Sequence, residues 1–271
     1  MKEKNIADYS AYDNPAVLAF LFHPRQDFGA PSGSGEEISI PVEGGAAIGA
    51  KLFIADKGAP TILFFHGNGE IVSDYDDLGP IYNRLGINFI PVDYRGYGRS
   101  TGSPTVTAMM KDCHDILKYI SKWKKDNNFI GPLIVMGRSL GSASALELAS
   151  SYPDSIDGLI IESGFAHALP LLRLLGINTD NLGLKEDGFS NNEKIKRFNR
   201  PTLIIHSEFD QIIPFSDGRA LYESSPAKDR TFVKIPNADH NTIFAYGIKE
   251  YMAAVKALAD RTGILPGNTR K

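Results

Sequence analysis

Ile134-Val135-Met136-Gly137-Arg138-Ser139-Leu140-Gly141-Ser142-Ala143 sets the architecture expected of this chain. An apolar strand runs into Gly-x-Ser-x-Gly, and a helix former, Ser144-Ala145-Leu146-Glu147-Leu148-Ala149, follows at once. That order describes a sharp strand-to-helix turn with a serine hydroxyl held clear at the top of a sheet. Such a turn strains the serine backbone, and side chains two residues to either side would collide with the neighbouring strand and helix, which accounts for Gly137 and Gly141. A Gly-x-Ser-x-Gly in a loop carries little. The strand before it and the helix after it make this pentapeptide a candidate nucleophile elbow.

Outward from the elbow, short apolar runs alternate with helical patterns. Toward the N-terminus lie Thr61–Phe65, continuously apolar as a strand buried on both faces should be, and Ile87–Val92, the next buried strand. An alternating segment, Glu37–Val42, and its return, Ala47 to Ile54, suggest an antiparallel hairpin ahead of them. Toward the C-terminus come Gly158–Glu162, Pro201–His206 and Arg230–Ile235. Helices are expected around Leu78–Leu85, from Phe215 to Ser224, and over Phe244, Ile248, Tyr251, Met252, Val255 and Leu258. Another carries Val106, Met110, Cys113, Leu117 and Ile120 on one face, with Ser103 capping it before Pro104. On it Cys113 reads as a buried core residue and His114 as facing solvent. Strands alternating with helices mean a mostly parallel sheet covered on both faces.

The stretch from 163 to 200 has no strand pattern but holds seven leucines, from Leu169 to Leu184. Between two buried strands, a segment of that length reads as a helical cap or lid inserted into one domain spanning 1–271. Its leucines serve either to line an apolar acyl or alcohol site or to pin the cap to the body. The tail, Pro266 to Lys271, reads as frayed.

Composition bounds the function. With 42% apolar and 23% charged residues, the 271-residue chain is that of an ordinary globular protein. A net charge of -3 and a pI near 6.1 argue against nucleic acid as a main partner. A single cysteine forms no internal disulfide and fits a reducing compartment. No apolar run approaches the roughly 20 residues that span a bilayer, so no stable membrane insertion is expected. Near the start, Lys2 and Lys4 precede an apolar run, Ala16 to Phe22. Asp8 and Asp13 interrupt it, and His23-Pro24-Arg25 stands where a signal peptide would have small residues. It reads as a docked amphipathic segment of a cytoplasmic protein.

A serine hydroxyl needs a base to act at neutral pH, and the base needs an orienting acid. In a parallel sheet these gather at the carboxyl ends of strands. Asp210 lies just past the Pro201–His206 strand, and His240 just past Arg230–Ile235. The order Ser139, Asp210, His240 is the one expected when the serine sits on an elbow. Glu208 and Glu162 compete as the acid, and His66 and His206 as the base. Asp210 leads because its loop runs into a proline-started helix, and His240 leads because no other histidine follows Asp210. Two donors should meet the oxyanion: the backbone N–H of Leu140 at the helix N-terminus, and that of Asn68 in the His66-Gly67-Asn68-Gly69-Glu70 loop.

Phe65-His66-Gly67-Asn68-Gly69, Asp93-Tyr94-Arg95-Gly96-Tyr97-Gly98-Arg99-Ser100 and Gly137-Arg138-Ser139-Leu140-Gly141-Ser142, in that order, resemble the α/β-hydrolase superfamily of serine hydrolases. Within it they are similar to the bud-emergence-like and depalmitoylase-like subgroup. The resemblance covers about residues 36 to 260. It implies an α/β-hydrolase fold and hydrolysis of a small-molecule ester, thioester or amide by Ser139, His240 and Asp210, without cofactor or metal. A non-catalytic binding protein of the same fold is the remaining expectation, and the oligomeric state stays open.

Overall fold

The computed structural model describes residues 7–29, 34–184 and 187–263. The segment read as a frayed tail lies outside them, as do Lys2 and Lys4. In chain order the elements are α1 (Pro15–Leu21), β1 (Glu36–Pro41), β2 (Ala47–Leu52), β3 (Thr61–Phe65), α2 (Gly79–Arg84), β4 (Asn88–Val92), α3 (Val106–Asp126), β5 (Leu133–Arg138) and α4 (Gly141–Ser151). There follow β6 (Gly158–Glu162), α5 (Ala168–Leu174), α6 (Asn191–Ile195), β7 (Thr202–Ser207), α7 (Phe215–Ser224), β8 (Arg230–Ile235) and α8 (Ile243–Thr262).

The eight strands form one sheet in the order β1-β2-β4-β3-β5-β6-β7-β8. The hairpin β1–β2 is antiparallel and joins β4 antiparallel. From β4 to β8 every neighbour is parallel. Side chains alternate across the pleat, so each apolar run feeds two cores. Leu63, Phe65, Val135, Leu159 and Ile161 pack with α3 and α4 on one face. Ile62, Phe64, Ile134, Met136 and Ile160 pack with α8 on the other. The doubly apolar strands read from sequence are the ones that need both layers.

The chain leaves β4, passes over β3 and returns to the sheet as β5. The carboxyl ends of β3 and β5 therefore lie side by side, with Phe65 opposite Gly137. In open α/β sheets this kind of switch in winding opens a crevice beyond the strand ends. Here it sets the loop after β3 against the elbow after β5.

Three local expectations are corrected. Ser103 does not cap α3; Thr105, in extended conformation, accepts the Ala108 N–H over 3.0 Å. Pro104 holds its predecessor extended, and the helix starts after the next residue that can both extend and accept. His114 is buried, not solvent-facing. It shares a helical face with Met110 and Leu117, and α4 satisfies its ring through Glu147 (3.3 Å) and Tyr152 (2.9 Å, on the residue that ends α4). Ile248 is exposed, whereas Tyr251, Met252, Val255 and Leu258 are buried as the apolar stripe requires. The stretch from 163 to 200 holds α5 and α6 and no strand.

Candidate active site

Ser139 occupies the turn between β5 and α4 with φ of 52°, in the left-handed region that costs a non-glycine residue energy. The neighbouring glycines let the turn close. A Cβ on Gly137 would fall 2.2 Å from the Gly141 carbonyl oxygen, and one on Gly141 would fall 2.1 Å from that of Phe65. Ser142 adds a lock, its hydroxyl donating to the Ser139 carbonyl over 2.6 Å.

Ser139 Oγ lies 3.0 Å from Nε2 of His240, and Nδ1 of His240 lies 2.8 Å from Oδ2 of Asp210. All three residues are buried. With Asp210 ionised, Nδ1–H donates to it, which leaves Nε2 bare to accept the serine proton. Burial alone would raise the Asp210 carboxyl. The hydrogen bond and charge of His240, together with the Ile213 N–H, outweigh that and hold it below the ordinary carboxylate range. Ser207 and Ile212 donate to the same carboxylate over 3.0 Å each, so its orientation is fixed.

The rival residues find other partners, although His206 Nε2 also lies 3.6 Å from Asp210 Oδ2. Glu208 is tied to Lys234 and to the Asn237 N–H. Glu162 receives Tyr251 and Arg138 and has no hydrogen bond with His240. His206 is fully buried, its Nε2 3.0 Å from the Ile213 carbonyl oxygen. His66 is buried beneath the loop after β3, between the Gly67 carbonyl and Asp93.

That loop faces the elbow. The Gly67 N–H is consumed by Glu70 over 2.7 Å. The Asn68 and Leu140 N–H groups donate to no protein acceptor among the described residues. Asn68, Ser139 and Leu140 line one cleft together. Below them the Asp93–Ser100 motif works as a brace: Tyr94 donates to the His66 carbonyl over 2.6 Å, and Tyr97 donates to the Asn68 side chain over 2.8 Å.

The cleft is narrow, about 80 Å³, below the usual range for small-molecule sites of about 300–1,000 Å³. Its walls are apolar. Phe165, Leu171, Leu172, Leu175 and Phe189 come from the 163–200 segment, and Ile212 and Ile213 from the loop after Asp210. Phe20 and Leu21 of α1 close the near side, a contribution that α1's amphipathic pattern did not announce.

Sequence reasoning also missed Arg138. Its guanidinium is buried and forked among three groups: Nε to Glu162 (3.0 Å), Nη1 to Glu70, and Nη2 to the His240 carbonyl (2.8 Å). An arginine ending a wholly buried strand was the available signal, because such a group must find acceptors. Burial opposes both acids. Arg138 and Tyr75 outweigh it at Glu70, whose carboxyl is lowered, whereas burial wins at Glu162, which is raised.

A model of the serine aminopeptidase S33 family of hydrolases matches residues 57–176, the stretch that carries the loop after β3, the Asp93–Ser100 motif and the elbow. Curated relatives are similar as well. The chain is 31% identical over 182 residues to the lysophosphatidylserine lipase ABHD12 of Danio rerio, covering 60% of this chain and 47% of that one. It is 29% identical to protein bem46 of Schizosaccharomyces pombe, covering 68% and 62%.

The chain has the α/β-hydrolase fold, and its sequence is similar to hydrolases of that superfamily.

Among solved structures, the chain is similar to the esterase Pf2001 of Pyrococcus furiosus, with a TM-score of 0.70 at 17% identity over 88% of this chain and 98% of that one. That likeness speaks to the fold. The chain spans about half the length of the lipase it matches. Among the described residues, no helix is long and apolar enough to cross a membrane.

Proposed function

We propose that this α/β hydrolase cleaves carboxylic esters or thioesters bearing an apolar acyl group, through an acyl-enzyme on Ser139. Ser139 Oγ attacks the carbonyl carbon and passes its proton to His240 Nε2. Asp210 stabilises the imidazolium that results. The carbonyl oxygen, now an anion, is met by the N–H groups of Leu140 and Asn68. The intermediate collapses, the acyl–oxygen or acyl–sulfur bond breaks, and the leaving group takes the proton from His240. Water then repeats the sequence and frees the acid and the serine.

The observation that carries this reading is the unbroken line from Asp210 through His240 to Ser139, opening directly onto an apolar cleft. The lipase name of one relative agrees with an ester substrate. A second reading, an aminopeptidase, has the matched family's description in its favour. An aminopeptidase must hold the substrate's α-ammonium, however, and the described lining of the cleft has no carboxylate.

Ser139→Ala should lower turnover of p-nitrophenyl esters by about four to six powers of ten while the fold survives. A folded variant with near wild-type turnover overturns the assignment. Faster release from aminoacyl anilides than from matched esters would replace the esterase reading with the peptidase one.

A further inference from the structure

Asn68 is proposed above for its backbone N–H, but its side chain faces the other way, into the N-terminal arm. The His23 N–H donates to Asn68 Oδ1 over 2.8 Å. Asn68 Nδ2 lies 2.7 Å from His23 Nδ1 and 3.3 Å from the Phe20 carbonyl oxygen. Both ends of the Asn68 amide are thus held by a segment some 45 residues earlier in the chain. Arg25 adds a further tie, donating from Nε to the Gly69 carbonyl over 2.8 Å.

The arm that makes these contacts is anchored at its other end. Tyr9 is fully buried, donating to Glu147 over 3.0 Å and accepting from Lys194 over 2.9 Å. Tyr12 accepts the Gly188 N–H over 2.9 Å, and its ring meets Phe189 edge-on at 5.1 Å. Asn14 caps α1, Pro15 opens it, and Val17 is fully buried against the body. The arm therefore bridges the cap segment and the loop after β3. On its way it places the Phe20 and Leu21 side chains in the cleft wall, with Phe20 still 44% exposed toward the mouth.

We infer that residues 20–23 belong to the substrate site: Phe20 and Leu21 form the wall that reads the far end of the acyl chain, and the main chain of Phe20 with His23 positions Asn68 for the oxyanion. This rests on the esterase reading above. One residue, Phe20, does both jobs, its ring in the wall and its carbonyl on the Asn68 amide. Acyl selection and oxyanion geometry are thereby built on the same short segment. Phe20, Leu21 and His23 act on specificity and position, and none exchanges a proton or electrons with the substrate.

The two roles separate by variant. In Phe20→Ala and Leu21→Ala, the ratio of kcat/KM for p-nitrophenyl octanoate over p-nitrophenyl acetate should fall about tenfold. That is the scale on which a pocket reads one or two methylenes. Acetate turnover should fall less than octanoate turnover, since its short acyl group ends at the elbow. Asn68→Ala keeps the backbone N–H but releases it from the arm. There kcat should fall about tenfold on both esters together, with KM and the octanoate-to-acetate ratio unmoved. Active, folded Phe20→Ala and Leu21→Ala proteins whose ratio is unchanged overturn the wall. An Asn68→Ala protein with wild-type kcat overturns the positioning role. Wild-type protein inactive on every ester, with Ser139 unlabelled by a fluorophosphonate, overturns the esterase reading itself and this inference with it.

Discussion

Nη2 of Arg138 donates to the main-chain carbonyl of His240 over 2.8 Å, so the residue before the proposed nucleophile holds the loop that bears the proposed base. The same guanidinium reaches Glu70, which consumes the Gly67 N–H next to Asn68. One side chain thus ties the loop after β8, the loop after β3 and the end of β6 into a frame around Ser139. Arg138→Met leaves two carboxylates facing each other without their cation. Breaking a buried pair in this way costs about 3–5 kcal/mol. Glu70 is lowered in the folded protein, so its stabilising share is present above its unfolded pKa and lost as pH falls through the folded value. The stability gap between wild type and variant should accordingly be widest at neutral pH and close on acidification. Urea titrations across that range check it. Arg138→Lys should rescue little, because one ammonium cannot span three acceptors set in a fork.

Asp210→Asn should leave the fold in place and slow ester turnover by about 10⁴-fold, the scale seen when a triad carboxylate becomes an amide. An amide presents Nδ2–H as readily as Oδ1, and the imidazole then turns its proton toward Ser139 instead of away. Ser207, Ile212 and Ile213 continue to hold the side chain, so the loss should appear in kcat with little change in melting temperature. Rates of fluorophosphonate labelling at Ser139 should fall in parallel.

The strands and the elbow were legible because burial on two faces leaves a mark in composition: Thr61–Phe65 and Leu133–Met136 are apolar without a break. Asp210 and His240 could be placed beside Ser139 because parallel strands deliver their next residues to one edge of the sheet. What sequence could not show depends on contacts between distant segments. Nothing in the spacing of Glu70, Arg138 and Glu162 announces one cluster, since the partners of Arg138 lie 68 and 24 residues away. His114 misled because its polarity suggested solvent while its partners sit on another helix. Phe20 and Leu21 read as an apolar stripe, and only packing reveals that the stripe faces a cleft.

Gly141→Ala and Gly69→Ala should differ sharply although both replace a glycine near Ser139. The new methyl at 141 would sit 2.1 Å from the Phe65 carbonyl oxygen, a backbone atom that no rotamer change can move. Overpacking of this kind should cost about 3 kcal/mol or more, or prevent folded protein from accumulating. At 69 nothing lies within 4 Å of the methyl, and the cost is the strain of φ at +77°, about 1 kcal/mol. Thermal melts of the two variants test the contrast.

Glu147 gives the cleanest pH signature away from Ser139. Its carboxylate is buried on α4 and receives Tyr9, Lys194 and His114 at 3.0, 2.8 and 3.3 Å. Burial by itself would raise it. The His114 hydrogen bond and the Lys194 charge reverse that and carry it down to about 2 from an ordinary 4.5. Burial meanwhile pushes the Lys194 ammonium down, so the pair gains less than two free charges brought together would. A carboxyl lowered on folding contributes stability fully above its unfolded pKa and loses it as pH falls from about 4.5 toward about 2. The contribution at neutral pH is about 3 kcal/mol. Glu147→Gln keeps the shape and removes this titration. Urea denaturation should find the variant less stable at neutral pH, with the gap narrowing by about 1 kcal/mol or more by about pH 3.5. A gap that stays constant with pH would mean that Glu147 acts by shape and hydrogen bonding alone, and that its charge does not hold Tyr9 and Lys194 in place.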